Sequence, residues 1–130
     1  MNNGVGYARP DRFANPIALG TDGIGADMFD EFRVAFIAAR AQDVLTTPDT
    51  PWEWLAQGWS LFPEALADQV TWSYQPLEPW HLAYTPTVRA IDVDIDGEPA
   101  LRDGVATRVD ANEVRAKARE QSQRLFAALR

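Results

Sequence analysis

The amino-acid sequence predicts an α/β protein, because strands and helices both occur along the chain in a recognisable order. A short apolar stretch at residues 17–19 stops at Gly20 and is followed by an amphipathic helix. Residues 91–95 alternate apolar and acidic side chains, which is typical of a half-buried strand. A further amphipathic helix follows Asp110.

The composition excludes several classes of protein. The 130 residues correspond to one ordinary domain or to a piece of a larger protein, and 46% of them are hydrophobic, which is enough for a core. A net charge of −7 without a basic cluster argues against nucleic acid or an anionic membrane as a partner. There is no cysteine, and neither a membrane span nor a signal peptide is recognisable. We therefore expect a cytoplasmic protein.

The first half of the chain predicts a loop, a buried strand and a helix. Residues 1–16 are rich in Asn, Gly and Pro and predict the loop, and residues 17–19 predict the strand. Asp27 is expected to cap the helix, with Asp30 as a weak capping box, and the helical pattern fades near Gln42. The apolar face of this helix is predicted to contain Met28, Phe32, Ala35, Phe36 and Ala39.

A stronger start signal introduces a second helix. Thr50 is predicted to cap it, Pro51 to occupy its first position and Glu53 to close the capping box. Pro63 is expected to end it. The spacing predicts that one face carries Trp52, Leu55 and Trp59.

The apolar pattern then changes to that of strands. Residues 69–74 are β-branched and aromatic and predict a strand, which Pro76 and Pro79 interrupt. Residues 91–95 predict the next strand, and residues 98–102 an edge strand, which tolerates Pro99. Turns are predicted at Asp96-Gly97 and at Asp103-Gly104.

The last predicted element is a helix with clear end signals. Asp110 caps it and Glu113 closes the capping box. Its basic residues lie toward the C-terminal half, as the helix dipole favours. An apolar stripe is predicted at Val114, Ala118, Leu125 and Leu129.

The predicted order leaves the first strand without a partner among the residues around it. One buried strand followed by a helix is typical of the last unit of a larger α/β array. We therefore expect the chain to be incomplete, with Met1 an interior methionine of a longer protein.

An acidic segment, residues 92–97, matches the start of a calcium-binding EF-hand loop, and Asp103 falls at the twelfth position. Three features favour a strand and a hairpin turn instead. The last ligand is Asp where Glu is usual, Pro99 stands at the eighth position, and the acids alternate with apolar residues.

His81 is the single histidine of the chain. One histidine cannot build a His-rich zinc site or a pair of catalytic imidazoles. We expect it to be a partly buried packing residue near the tryptophans, although Trp80 beside it is able to line a pocket.

Asp22 lies between glycines, just beyond the predicted strand at residues 17–19. Functional side chains collect at strand ends in α/β proteins, and a carboxylate there can bind a metal or move a proton. A structural turn that uses the Asp side chain explains the same spacing equally well.

The stretch VGYARPDRFANPIALGTDGIGADMFDEFR resembles the C-terminal part of metal-dependent amidohydrolases, in the group of chlorohydrolases, guanine deaminases and cytosine deaminases. The family's eighth barrel strand ends in a Gly-Thr-Asp-Gly motif, which matches residues 20–23. The stretches ADQV, AIDVDIDGEPALRDG and EVRAKAREQSQRLF resemble a family strand, its closing hairpin and its final helix.

This resemblance implies the fold class of a C-terminal TIM-barrel fragment. It implies the last barrel strand and helices over residues 1–62, part of a composite β-sandwich over 63–105, and a C-terminal helix over 106–130. It also implies hydrolysis of a non-peptide carbon–nitrogen bond in a small heterocycle, with one zinc or iron ion in the complete enzyme.

The family's strand-eight aspartate corresponds to Asp22. By resemblance, Asp22 is a metal ligand and the catalytic group that accepts a proton from the metal-bound water and hands it to the leaving group. Thr21 and Gly23 would shape the strand tip, whereas Asn2 and Asn3, near the preceding barrel loop, are given no role.

The sequence departs from the family at the other metal ligands. The His-x-His motif and the histidines of the fifth and sixth strands are absent, and His81 lies in the wrong region to replace them. A family glycine-rich turn before residue 69 is also missing. We therefore expect this chain alone to be inactive, its partners being the missing N-terminal barrel or an oligomer partner, and a small-molecule substrate in the complete enzyme. The alternative is a non-catalytic scaffold or interaction module derived from the family.

Overall fold

The computed structural model describes residues 9–22, 26–75 and 78–129. These residues form an α/β protein, as the sequence predicts, with four α-helices and a four-stranded antiparallel sheet. The helices are α1 (Met28–Gln42), α2 (Asp49–Leu61), α3 (Pro79–Tyr84) and α4 (Ala111–Ala128). The strands are β1 (Gln69–Trp72), β2 (Ala90–Ile95), β3 (Glu98–Arg102) and β4 (Val105–Ala106).

The described residues fall into two compact units. The helical unit contains α1, α2 and α3, within residues 9–66 and 74–88. The sheet unit contains the four strands and α4, within residues 67–73 and 89–129. In the described part of the chain, no helix is both long enough and apolar enough to cross a bilayer.

Helix α1 carries most of the core of the helical unit. The Asp27 carboxylate caps it by accepting hydrogen bonds from the amides of Phe29 and Asp30, at 2.9 and 3.2 Å, which confirms the predicted cap. Asp30 instead pairs its carboxylate with Arg33, one turn along the helix. The buried apolar side chains are Phe29, Phe32, Ala35 and Phe36, whereas Met28 and Ala39 are half-buried.

Helix α2 begins one residue before the predicted cap. Its first residue is Asp49, and its flanking residue is Pro48, so Thr50 lies inside the first turn and does not cap the helix. The Thr47 hydroxyl donates instead to the Asp49 carboxylate, at 2.8 Å. Pro51 is compatible with the first turn of α2, because the backbone amides of a first turn have no hydrogen-bond partner within the helix.

The packing of α2 against α1 depends on one aromatic pair. The ring of Trp52 meets that of Phe32 edge-on, with centroids 6.1 Å apart. Leu55 is half-buried, but the indole of Trp59 is 58% exposed, so the predicted common face is covered only in part. The helix ends at Leu61, just before Pro63, as predicted.

The predicted strand at residues 17–19 does not form. These residues are half-buried but belong to no strand of the described chain. A strand requires a neighbour that accepts and donates along its backbone, and apolar character alone does not provide one. Just upstream, a single 3-10 turn at Pro10–Arg12 interrupts the predicted loop.

Helix α3 is not among the predicted elements, because the sequence pattern indicates only that Pro76 and Pro79 interrupt a strand. Pro79 occupies the first turn, where its missing N–H costs nothing. The Arg33 guanidinium approaches the carbonyls of Leu82 and Thr85 at the other end of the helix, at 3.4 and 3.5 Å. Pro76 lies outside the described residues.

The sheet unit is a meander in the order β1-β2-β3-β4. Both predicted Asp-Gly turns are confirmed. Asp96 and Gly97 have φ of 53° and 76°, and Asp103 and Gly104 have φ of 49° and 73°. Positive φ at both central residues defines the type I′ turn, whose twist matches that of the strands it joins.

The prediction that residues 98–102 form an edge strand is wrong. β3 lies between β2 and β4, and the short β4 forms the edge. Pro99 is tolerated because the register shifts beside its partner Asp94, so its missing N–H falls at an irregularity of the ladder.

Helix α4 begins at the predicted cap. The Asp110 carboxylate accepts from the amides of Asn112 and Glu113, at 2.9 and 3.1 Å. None of the residues of α4 is buried, so its apolar stripe is exposed.

Candidate functional site

Asp22 lies in the loop that leads from residues 17–19 to α1. Its backbone is left-handed, with φ of 56°, a conformation that Asp adopts more readily than most residues with a side chain. The Thr21 hydroxyl is 3.4 Å from the carbonyl oxygen of Asp22, at the long end of the hydrogen-bond range. Asp22 is exposed, so its carboxylate is accessible to solvent.

The loop that carries Asp22 is anchored on both sides. The Leu19 amide donates to the carbonyl of Trp54 in α2, at 3.3 Å. On the other side, Asp27 caps α1. Gly20 does not have a positive φ, and a side chain built there would meet nothing within 4 Å. The left-handed residue of the described loop is therefore Asp22 itself; Gly23 lies outside the described residues.

The described residues do not fit a metal ion by themselves. Among residues 9–22, 26–75 and 78–129, no group of three or more His, Asp or Glu side chains is placed to hold one. Catalytic zinc sites use about three protein ligands. Asp22 is thus one accessible carboxylate rather than a complete site, and any further ligands would come from outside the described residues.

Three carboxylates of the second half make structural contacts within the sheet unit. The Asp92 carboxylate accepts from the Asp103 amide, at 3.0 Å, and Asp94 forms an ion pair with Arg102. The Asp96 amide donates to the Asp68 carboxylate, at 2.9 Å. Because Asp92 and Asp94 lie in β2 and Asp96 lies in the turn that follows it, the preferred interpretation as a strand and hairpin is confirmed.

His81 is exposed, which corrects the expectation of a partly buried packing residue. It lies in α3, where its ring meets that of Tyr74 edge-on at 5.5 Å. Trp80 stacks on Tyr84 with centroids 6.3 Å apart, and its indole is 47% exposed. Both residues therefore belong to an aromatic surface on α3, and the helix turns Leu82 into the core instead.

One buried acid was missed by the sequence analysis. Glu31 is only 1% exposed, between the core residues Phe29 and Phe32 of α1. Acids in the first turn of a helix are favoured by the helix dipole and are usually solvated. The residue type of Glu31 therefore gives no indication that the side chain is buried. The only available signal was position, because Glu31 and Ala35 are one turn apart on the same face.

No protein-family model matches the chain, and no solved structure matches it.

Proposed function

We propose that the chain is the C-terminal segment of a metal-dependent amidohydrolase that hydrolyses a non-peptide carbon–nitrogen bond of a small heterocycle. The observation that carries the proposal is the Gly-Thr-Asp-Gly sequence at residues 20–23, in which Asp22 presents an accessible carboxylate. In the complete enzyme Asp22 would supply one ligand to a single zinc or iron ion and act as a proton acceptor. The other ligands and most of the pocket belong to the missing N-terminal barrel.

The surroundings of Asp22 support an incomplete barrel edge. Residues 17–19 are half-buried but have no ladder partner within the described residues. Large apolar side chains are exposed elsewhere in the same unit, among them Phe13 at 61% and Ile37 at 67%. Apolar surface of this kind is typical of a surface that another segment covers.

The test is reconstitution of the enzyme by co-expression of this chain with the histidine-bearing N-terminal part. We expect metal-dependent hydrolysis that Asp22→Asn lowers by about 10²–10⁴-fold, because an amide cannot accept the proton. Asp96→Asn is the matched control, since Asp96 is also followed by glycine and has φ of 53°. Metal-dependent activity that survives Asp22→Asn would refute the proposal.

The exposed apolar side chains of α4 favour a second candidate, a non-catalytic scaffold or interaction module derived from the same family. This candidate predicts that the isolated chain unfolds in one cooperative thermal transition and binds no metal. A molten or aggregated isolated chain, by contrast, would count against the scaffold and for the fragment. Differential scanning calorimetry with metal analysis of the same sample distinguishes the two.

A further inference from the structure

Charge is unevenly distributed along the chain. Residues 1–110 contain seven Lys or Arg and seventeen Asp or Glu, a net charge of −10, whereas residues 111–130 contain five and two, a net charge of +3. The two values add up to the −7 of the whole chain. Helix α4 is therefore a basic element of an acidic protein, and it is electrostatically suited to an acidic surface.

Three apolar residues of α4 and its C-cap residue Leu129 lie on one narrow stripe, which we call the α4 stripe: Val114, Ala118, Leu125 and Leu129. At about 100° per residue these positions fall within an arc of roughly 60°. The side chains remain open to solvent, with Val114 53%, Leu125 58% and Leu129 72% exposed. An exposed apolar stripe on an otherwise polar helix is typical of a helix that packs against another surface.

The charges on the two sides of the α4 stripe differ. On one side, Glu113 pairs with Lys117 at 2.5 Å and Glu120 with Arg124 at 2.6 Å, so these charges compensate each other. On the other side lie Arg115 and Arg119. Within the described part of the chain, neither of these two arginines makes an ion pair with a carboxylate, so they are available to carboxylates of a partner.

A complementary surface lies on the helical unit, at what we call the α1–α2 corner, residues 43–53. Val44 and Leu45 are 69% and 82% exposed there. The Asp43 carboxylate holds this turn by accepting from the Leu45 amide, at 2.9 Å. Asp43, Asp49 and Glu53 are all exposed. The chain has no Lys or Arg between residues 41 and 88. No basic side chain of this segment therefore neutralises the acidic residues of the corner.

We propose that α4 docks on the α1–α2 corner of a second copy of this chain, with the α4 stripe on Val44 and Leu45 and the two arginines on the acidic side chains. Every copy carries both surfaces. We therefore propose a dimer in which each copy contributes its α4 and receives that of its partner, with the twofold symmetry that is commonest among soluble oligomers. The dimer does not depend on the amidohydrolase proposal, because neither surface includes Asp22.

Sedimentation velocity of the 130-residue chain over a range of concentrations tests the dimer. Leu125→Glu/Leu129→Glu should raise the dissociation constant at least about tenfold, because it places charge in the stripe. Ala116→Glu/Gln123→Glu is the matched control, which adds the same charge to the opposite face of α4 and should change the constant less than about threefold. Circular dichroism verifies that both variants keep the helix.

A charge exchange tests the orientation. Arg115→Glu/Arg119→Glu should weaken the dimer and reduce its sensitivity to salt, and adding Glu53→Arg to that variant should restore part of the association. A chain that stays monomeric at all concentrations overturns the proposal. The same increase of the dissociation constant in the stripe variant and in its control also overturns it. A longer natural form that is monomeric, with the amides of α4 protected from hydrogen exchange, would show that the rest of that polypeptide covers the stripe instead.

Discussion

Three aspartates of the described chain have a left-handed backbone: Asp22, Asp96 and Asp103. Each is followed by glycine in the sequence. The type I′ turns explain two of them, because both central residues of such a turn require positive φ. Asp22 belongs to no hairpin, so its conformation has no explanation in sheet geometry, and this distinguishes it from the other two at the level of a single residue.

The hairpin glycines provide a prediction about backbone conformation alone. A side chain at Gly97 or at Gly20 would meet nothing within 4 Å, but only Gly97 has a positive φ, of 76°. We expect Gly97→Ala to lower the free energy of unfolding of the sheet unit by about 1 kcal/mol, because alanine is strained in this conformation. Gly20→Ala should be neutral or slightly stabilising. Urea unfolding measures both, and equal effects would mean that φ at residue 97 is not the cause.

At the level of elements, the same type of cap has different consequences in two helices. Asp27 and Asp110 each accept two amide hydrogen bonds at a helix start. Helix α1 carries the core of its unit, whereas α4 buries no residue. The stability of the helical unit is therefore linked to the first cap and not to the second.

We expect Asp27→Ala to lower the free energy of unfolding of the helical unit by about 1 kcal/mol, because two amides lose their acceptor. Asp110→Ala should reduce the helical circular dichroism of α4 without shifting that transition. Tryptophan fluorescence in urea is a suitable probe, since four of the five tryptophans lie in the helical unit. An equal shift in both variants would contradict the separate roles.

The contact between α1 and α2 is predicted to depend on Phe32. This side chain is fully buried, at 0% exposure, and its ring meets Trp52. Phe32→Ala should cost about 3–5 kcal/mol of unfolding free energy, through lost burial and the cavity it leaves. Phe62→Ala removes the same ring from a position that is 67% exposed and should change stability by less than about 0.5 kcal/mol. Thermal denaturation compares the two, and a small effect at Phe32 would show that this core is poorly packed.

Local signals predicted the elements well, and signals that depend on distant residues did not. The caps at Asp27 and Asp110 and the two Asp-Gly turns involve neighbours within three residues, so the sequence contains all that determines them. The prediction of a strand at residues 17–19 was wrong because strand pairing depends on another segment of the chain. The edge position of residues 98–102 was wrong because the two residues of β4 are too few to give a periodic pattern.

The candidate site was predictable only as a position. The sequence singled out Asp22 through its glycine neighbours, and the structure adds that the residue is exposed and left-handed. The burial of Glu31 and the exposure of His81 depend on how helices pack, which composition does not reveal.

At the scale of the whole molecule, we propose that the chain is a segment that functions together with another one. Residues 17–19 lack a ladder partner among the described residues, Asp22 is a single carboxylate, and the α4 stripe is exposed. The amidohydrolase proposal assigns the first two features to a missing barrel. The dimer proposal assigns the third to a second copy of the chain.

The most direct test of the amidohydrolase proposal is to sequence the DNA immediately upstream of the Met1 codon. We predict an in-frame coding stretch, or a separate neighbouring gene, that encodes a His-x-His motif and the remaining metal-binding histidines. Either result would supply the ligands that Asp22 lacks. Upstream DNA that encodes neither would contradict the proposal, and Asp22 would then be a turn residue of a non-catalytic module.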